Sequence, residues 1–588
     1  MRASRIKLYS PFIALLLVQG MIMVLAPSIG EHEQASFGDD TNGGDGGFAA
    51  PEVDGFDDPD GGPQVTDVDG SDPDATGDDG TTTDGATTTE AGSSGADDGG
   101  TGADGDGGGS DDAEANGTTS AQGDTSHCTD DGRQHGHFFH APPCEPASDG
   151  INPGATYQGV TEDEILVVQM YNAPHPLVDA IIPTDFTDAD QDEFREAAQD
   201  FINTNYELHG REVRIEAVRS NCPTTPPNPS RCREEVRRII DMDPFMVHWG
   251  GGSLYPAIFD EFARAGIISI GGDNFDASFF NERRPFRYAA AMDGTQMREH
   301  LAEYYCKKLA GGTADRSGEV IHPQIGNRGE VPRRYGIVTP DTPSDVANAN
   351  ALIAMIEQCE GYRPPVFTYE LDIERGLEQA TAVVAGLVSE GVTTVTCICD
   401  PVAPQFLLDE ATMQNWFPEH LMLGRFGIDL DPVGRIYPQE QWERAFGPST
   451  FVEPTPIEDN AAHAVWRASG RDHTCEICIQ SPITLGVYEP IAYLLQAGGA
   501  DLNPGTVEQG AFEYGARGGW EQTGGDPRHN LRELGPNNYT FSQDMREVYW
   551  DPDARSAHDD EPGAYVATDG GRRYLLGEWT SDLDIPMP

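Results

Sequence analysis

The chain has 588 residues, with 99 Asp or Glu against 37 Lys or Arg, a formal net charge of −62. A surface this negative repels nucleic acid and anionic lipid, so neither is expected as a partner. The acidity is not confined to one end, since only 26 of the acidic and 3 of the basic residues precede His127.

At the N-terminus, Arg2, Arg5 and Lys7 precede an apolar run from Phe12 to Ala26, with small residues Ser28 and Gly30 beyond it. Residues 1–30 therefore read as a signal peptide or a signal anchor, the protein's expected contact with a membrane. The protein is expected outside the cytoplasm, secreted or tethered at the cell surface. A lipoprotein anchor is not expected, because the first cysteine is Cys128. Residues 31–126 are mostly Gly, Asp and Thr without Lys or Arg, the composition of a disordered acidic linker. It reads as a tether or as a tolerated insert.

Ten cysteines in an exported chain predict pairing. Sequence neighbours give Cys128 with Cys144, Cys222 with Cys232, and Cys306 with Cys359. Cys397, Cys399, Cys475 and Cys478 leave several pairings open. Together they also have the makings of a four-thiolate zinc site, against which oxidation outside the cell competes, and no metal is expected. Residues 127–154 form a disulfide-closed lead-in carrying His135, His137 and His140, read as loop histidines rather than as metal ligands.

The folded part opens with a buried-type strand, Glu164 to Met170. A helix from Asp190 to Leu208 follows, with Phe194, Ala197, Ala198, Phe201 and Ile202 on one face. Next come a strand from Val213 to Val218, a helix from Arg233 to Ile240, and an apolar segment from Phe245 to Trp249. Then the glycines Gly250, Gly251 and Gly252 lead to a helical pattern through Ile258, Phe259, Phe262 and Ala265, and to a strand from Ile267 to Ile270. The glycine run lacks the lysine and the spacing of a P-loop, and the chain has only Lys7, Lys307 and Lys308, so the run ends a strand at the lip of a pocket. The alternation starts afresh with a helix from Thr295 to Leu309, strand Tyr335 to Thr339, helix Ser344 to Cys359, strand Val366 to Tyr369, helix Leu377 to Glu390 and strand Thr393 to Cys399. Two units of this kind predict two mostly parallel sheets flanked by helices, with ligands at the carboxyl ends of the strands.

In pattern and order, the segments GVTEDEILVVQM, FINTNYELHGREVRIEAV, MVHWGGGSLYPAIFDEFARAGIISIGG, RYGIVTPDTPSDVANANALIAMIEQCEG and YEPIAYLLQAGGADLNPGTVEQGAFE resemble the type I periplasmic-binding fold from about Tyr157 to Tyr574. The likeness is to the Leu/Ile/Val-binding type of ABC-transporter substrate-binding component. That resemblance implies a two-lobed α/β domain over 155–588, with lobe 1 at about 155–290 and 455–515 and lobe 2 at about 291–454 and 516–588. It implies a monomer that closes on a small-molecule ligand and hands it to ABC transporter permease subunits, with no cofactor.

The resemblance places Ser253, after Gly252, where such proteins receive a ligand carboxylate, although a serine there also caps the following helix. The exit of the next strand, with Asp273 and Asn274, faces the same cleft, and Tyr171 and Tyr255 are read as aromatic residues that stack on the ligand. From the other lobe come Asp341 and Ser344, in a loop where amino-acid binders show a tyrosine and this chain has none. Arg425 and Asp429 stand near the place of the glutamate that holds a ligand ammonium. Arg425 is read either as a contact for a second anionic group or as a surface ion pair. The expected solute is thus an amino acid, an amide or a small carboxylate. No G-x-S-x-G or HExxH occurs, so an enzyme is not expected. The alternatives are a membrane-tethered ligand-sensing ectodomain and a surface interaction protein that uses the fold without transport.

Overall fold

The computed structural model describes residues 125–586 apart from 127, 131, 135–139, 148–151, 173–185, 224–227, 250–255, 272–274, 401, 425–426 and 583–584. The signal and linker readings lie outside these residues, as do His135 and His137. Among the described residues no helix is long and apolar enough to cross a membrane.

The first sheet holds β1 (Glu164–Tyr171), β2 (Glu212–Arg219), β3 (Met246–His248), β4 (Ile268–Ile270) and β5 (Arg287–Tyr288) in the order β2-β1-β3-β4-β5, all parallel. Its crossovers are α1 (Asp188–Asn205), α2 (Pro229–Ile240), α3 (Pro256–Arg264) and α4 (Ala277–Glu282). Helix α1 buries Phe194, Ala197, Ala198, Phe201 and Ile202, the face read from the sequence. A reciprocal cap starts it: the Asp190 N–H donates to Thr187 Oγ1 and the Thr187 N–H to Asp190 Oδ2. Helix α2 begins four residues earlier than the hydrophobic pattern indicated. Asn228 caps it and Pro229 occupies its first turn, where a missing N–H costs nothing.

Helix α5 (Gly294–Lys308) opens the second unit. A short hairpin of β6 (Val320–His322) and β7 (Gly326–Asn327) intervenes before the second sheet. That sheet contains β8 (Tyr335–Pro340), β9 (Val366–Tyr369), β10 (Thr394–Cys397), β11 (Glu419–Leu421) and β12 (Ala445–Ser449), joined in part by α6 (Pro343–Glu360), α7 (Gly376–Ser389) and α8 (Ala403–Met413). Two short helices, α9 (Asp431–Gly434) and α10 (Gln439–Trp442), lie between β11 and β12. The chain then returns to lobe 1 as α11 (Ala461–Ala468), α12 (Ser481–Ala497) and α13 (Pro504–Glu513), whose apolar faces share one core with the first sheet. After α14 (Gly519–Gln522), the strands β13 (Met545–Arg555), β14 (Pro562–Ala567) and β15 (Arg573–Tyr574) extend the second sheet antiparallel, giving β14-β13-β12-β11-β10-β8-β9 with β15 on β13.

The packing moves one boundary. Leu534, Tyr539 and Phe541 join the lobe 1 core, and the switch to the lobe 2 core comes at Met545 rather than after 515. The reason is a ladder at the crossing point, where the Ala289 N–H donates to the Tyr539 carbonyl at 3.1 Å and the Phe541 N–H to the Ala289 carbonyl at 3.0 Å. Two crossing segments are tied together by Arg573, which is fully buried. Its guanidinium donates to the carbonyls of Thr450, Phe451 and Asp544, each at 3.0 Å.

All ten cysteines are paired. The three bridges expected from sequence neighbours form, and the other four residues pair as Cys397–Cys399 and Cys475–Cys478. The lead-in docks on lobe 1. Gln496 Nε2 donates to Gln134 Oε1 at 2.9 Å and to the Pro143 carbonyl at 2.8 Å, the Tyr514 hydroxyl donates to the His140 carbonyl at 2.8 Å, and His140 Nε2 lies 2.7 Å from the Asn530 carbonyl. Burial holds the His140 imidazole neutral, its pKa well below the ordinary value.

Candidate ligand crevice

In a parallel sheet, a crevice opens where two neighbouring strands send their connections in opposite directions. In the first sheet this happens between β1 and β3, because the chain leaves β1 for β2 on one side and β3 for β4 on the other. In the second sheet it happens between β8 and β10, by the same logic with β9 and β11. Both positions lie at the carboxyl ends of their strands.

Lobe 1 brings Tyr171 to this edge as the last residue of β1. Its hydroxyl donates to the Gln191 carbonyl at 3.4 Å, the Arg219 guanidinium lies 4.4 Å from its ring centre, and burial raises its pKa. Beside it stand two residues that sequence reasoning did not select. Gln169 and His248 are in register on adjacent strands, and Trp249 follows. No described residue supplies a hydrogen-bond partner to Gln169 Oε1, His248 Nδ1 or Trp249 Nε1, although all three atoms are buried. Burial, with the nearby Arg287 charge adding to it, pushes the His248 pKa down to about 3, so the ring is neutral at physiological pH. Polar residues at the end of an apolar strand were the available signal. Gly252, Ser253, Tyr255, Asp273 and Asn274 lie outside the described residues.

In lobe 2, Asp341 and Ser344 flank Thr342, which caps α6. The Thr342 hydroxyl accepts from the Asp345 N–H at 3.2 Å, donates to Asp345 Oδ2 at 2.6 Å, and lies 3.2 Å from Ser344 Oγ. Asp341 is exposed, and its N–H is fixed by the Tyr369 carbonyl at 2.8 Å. Across the crevice is the turn Cys397–Ile398–Cys399–Asp400. The Ile398 N–H donates to the Val338 carbonyl at 2.8 Å, and Asp400 Oδ2 receives the Tyr369 hydroxyl at 2.7 Å. Asp400 Oδ1 accepts from the N–H groups of Val402 and Ala403 at 2.9 and 3.1 Å, closing the start of α8.

Asp429 stands farther along the sheet, beyond β11. It is buried, its Oδ2 is hydrogen-bonded to the Ser449 hydroxyl, and no described residue partners its Oδ1. A Cβ on Gly424 would fall 2.3 Å from that Oδ2, so only glycine admits this packing. Burial raises the Asp429 pKa to about 6, against the Ser449 hydrogen bond and the Arg546 charge, which favour the carboxylate. Arg425 lies outside the described residues. Behind the β10 turn is a cavity of about 40 Å³ bounded by Cys397, Trp416, His420, Met422 and Trp442. A polar solute needs convergent polar groups, and this largely hydrocarbon hollow does not provide them.

No protein-family model matches the chain, and no curated protein matches it in sequence. Solved structures do. A solute-binding protein of an ABC transporter from R. palustris, in complex with 4-hydroxybenzoate, superposes with a TM-score of 0.50 at 10% identity, over 71% of this chain and 99% of that one. The chain has the type I periplasmic-binding fold. An ABC-transporter substrate-binding protein from Aeropyrum pernix matches at a TM-score of 0.49 and 13% identity, over 70% of this chain and 96% of its own. A branched-chain amino acid ABC transporter protein from Thermus thermophilus with bound valine matches at 0.47 and 12%, over 70% and 97%.

Proposed function

We propose that the protein is an extracytoplasmic solute-binding component that carries a small polar solute, an amino acid, amide or small carboxylate, to the permease subunits of an ABC importer. It works by closing its lobes and performs no catalysis. The observation that carries this reading is the pairing of two switch-point crevices, β1/β3 and β8/β10, on lobes joined by crossing segments. Such a hinge lets one lobe swing against the other while each sheet stays rigid. The R. palustris protein of the same fold is a solute-binding protein, which supports transport over sensing.

The crevice edges bear on the solute. His248 and Trp249 offer neutral polar atoms, while Asp341 and Asp400 place negative charge on the lobe 2 side. A solute with a cationic or amide end toward lobe 2 suits that arrangement. Thermal unfolding of the oxidised protein against amino acids, amides and small carboxylates tests the reading, because a ligand of the native state raises the midpoint by mass action. A rise of the midpoint with one class, diminished in Asp400→Asn, is the expected result. A well-folded protein whose midpoint moves with no member of the three classes overturns it.

A further inference from the structure

We propose that the Cys397–Cys399 disulfide is a thiol-exchange site set in the wall of the lobe 2 crevice, where an external dithiol opens the ring and releases the turn that faces the solute. The inference rests on the preceding reading only for which side of the sheet the solute occupies.

Its place in the fold separates this bridge from the others. Cys306–Cys359 spans 53 residues and joins α5 to α6, while Cys128–Cys144 and Cys222–Cys232 close loops of 16 and 10 residues. Cys397–Cys399 encloses a single residue and connects no two distant elements. A ring so small removes little freedom from the unfolded chain, so its effect is local, on the shape of the turn. That turn forms one side of the β8/β10 switch point. It continues directly into Asp400, whose carboxylate holds the Tyr369 hydroxyl and the first N–H groups of α8. Cys475–Cys478 is nearly as short, but both of its residues are buried in the lobe 1 core. Cys397 is half-buried at the strand end, and Cys399 is buried. A thiolate therefore reaches Cys397 and not the lobe 1 pair.

The exchange is balanced by the dithiol itself. Its thiolate attacks Cys397 Sγ, the S–S bond breaks, and Cys399 leaves as a thiolate and takes up a proton. The second thiol of the reductant then attacks its own sulfur in the mixed disulfide, and Cys397 departs as a thiol. Two electrons and two protons pass to the protein, and the reductant becomes a disulfide.

The test needs no solute. The folded, oxidised protein is treated with dithiothreitol, alkylated with iodoacetamide and read peptide by peptide, because Cys359 and Cys128 are also within reach of reagent. Backbone hydrogen exchange is followed in parallel, with a Cys397→Ser/Cys399→Ser variant to isolate this bridge. The expected result is labelling of Cys397 and Cys399 in folded protein while Cys475 and Cys478 stay protected. With it goes faster exchange over Ile398–Ala403, about tenfold, in both the reduced protein and the variant. Labelling at 397 and 399 only on global unfolding, or unchanged exchange over this segment in the variant, overturns the proposal. Neither outcome depends on whether the solute panel succeeds.

Discussion

The two lobes share one alternation of strand and helix but treat buried charge differently. In lobe 2, Arg333 meets Glu419 through two hydrogen bonds, Nε to Oε2 at 3.0 Å and Nη2 to Oε1 at 3.1 Å, with both side chains about as buried as any in the molecule. Glu419 also accepts from Thr394 Oγ1 and from the Arg316 N–H. Lys308 is likewise buried, 3.3 Å from Glu547, and Arg573 is 2.9 Å from Asp544. In lobe 1, the buried Arg211 instead serves three backbone carbonyls, those of Gly154, Thr161 and Ala500. A carbonyl that loses its donor keeps only a dipole to satisfy, whereas a carboxylate that loses its arginine keeps a full charge in a low dielectric. The lobes are therefore vulnerable to different perturbations.

The largest expected effect follows from that contrast. Arg333→Ala strands Glu419 and should cost about 3–5 kcal/mol, while Arg211→Ala should cost about 1–3 kcal/mol, the range for unmade hydrogen bonds. Denaturant unfolding of both variants checks the order, and an equal or larger loss at Arg211 would break the comparison.

Acidification sharpens it. His248 in lobe 1 is held near 3, and His140 is also held low, so both are neutral in the fold and charge readily once unfolded. Their contribution is present above pH 6.5 and lost as the pH falls toward the folded value, for His248 about 2 kcal/mol by pH 5. His300 and His420 in lobe 2, held near 4, behave alike. There, however, Asp293 and Asp429 are raised to about 6, favour the protonated form in the fold, and return about 1 kcal/mol each between pH 6 and 5. Hydrogen exchange at pH 7 and pH 5 should show lobe 1 loosening first. Earlier loosening of lobe 2 would contradict the assignment.

The smallest effect compares two helix caps. Thr187→Ala on α1 and Thr342→Ala on α6 should each cost about 1 kcal/mol. Only the second removes a hydroxyl bonded to Ser344 and Asp345 at the crevice, so only it should also weaken the solute-induced thermal shift.

What the sequence made legible follows from periodicity. The buried face of α1 and strand β9 were readable because apolar spacing at 3.6 and short β-branched or aromatic runs are local signals. The start of α2 was missed because Arg231 and Arg233 masked its first turn, although Asn228–Pro229 is a cap signature. The antiparallel extension by β13 and β14 went unread, since Asp551, Pro552 and Asp553 interrupt its pattern and the pairing shifts register between Asp551 and Arg555. Tyr171 ends β1, Asp341 follows β8 and Ser344 lies in the first turn of α6. Gln169, His248, Cys399 and Asp400 acquire meaning only when β1 meets β3 and β8 meets β10, a juxtaposition that spacing along one chain does not encode.

The docking of the lead-in has a mechanical consequence. Gln134, His140 and Pro143 are fastened to Gln496, Tyr514 and Asn530, all in segments packed with the first sheet. A pull transmitted along the preceding chain enters through the Cys128–Cys144 ring and loads lobe 1. In the proposed closing motion, lobe 2 is then the jaw that swings while lobe 1 bears any such load, so shutting the clamp does no work against these attachments.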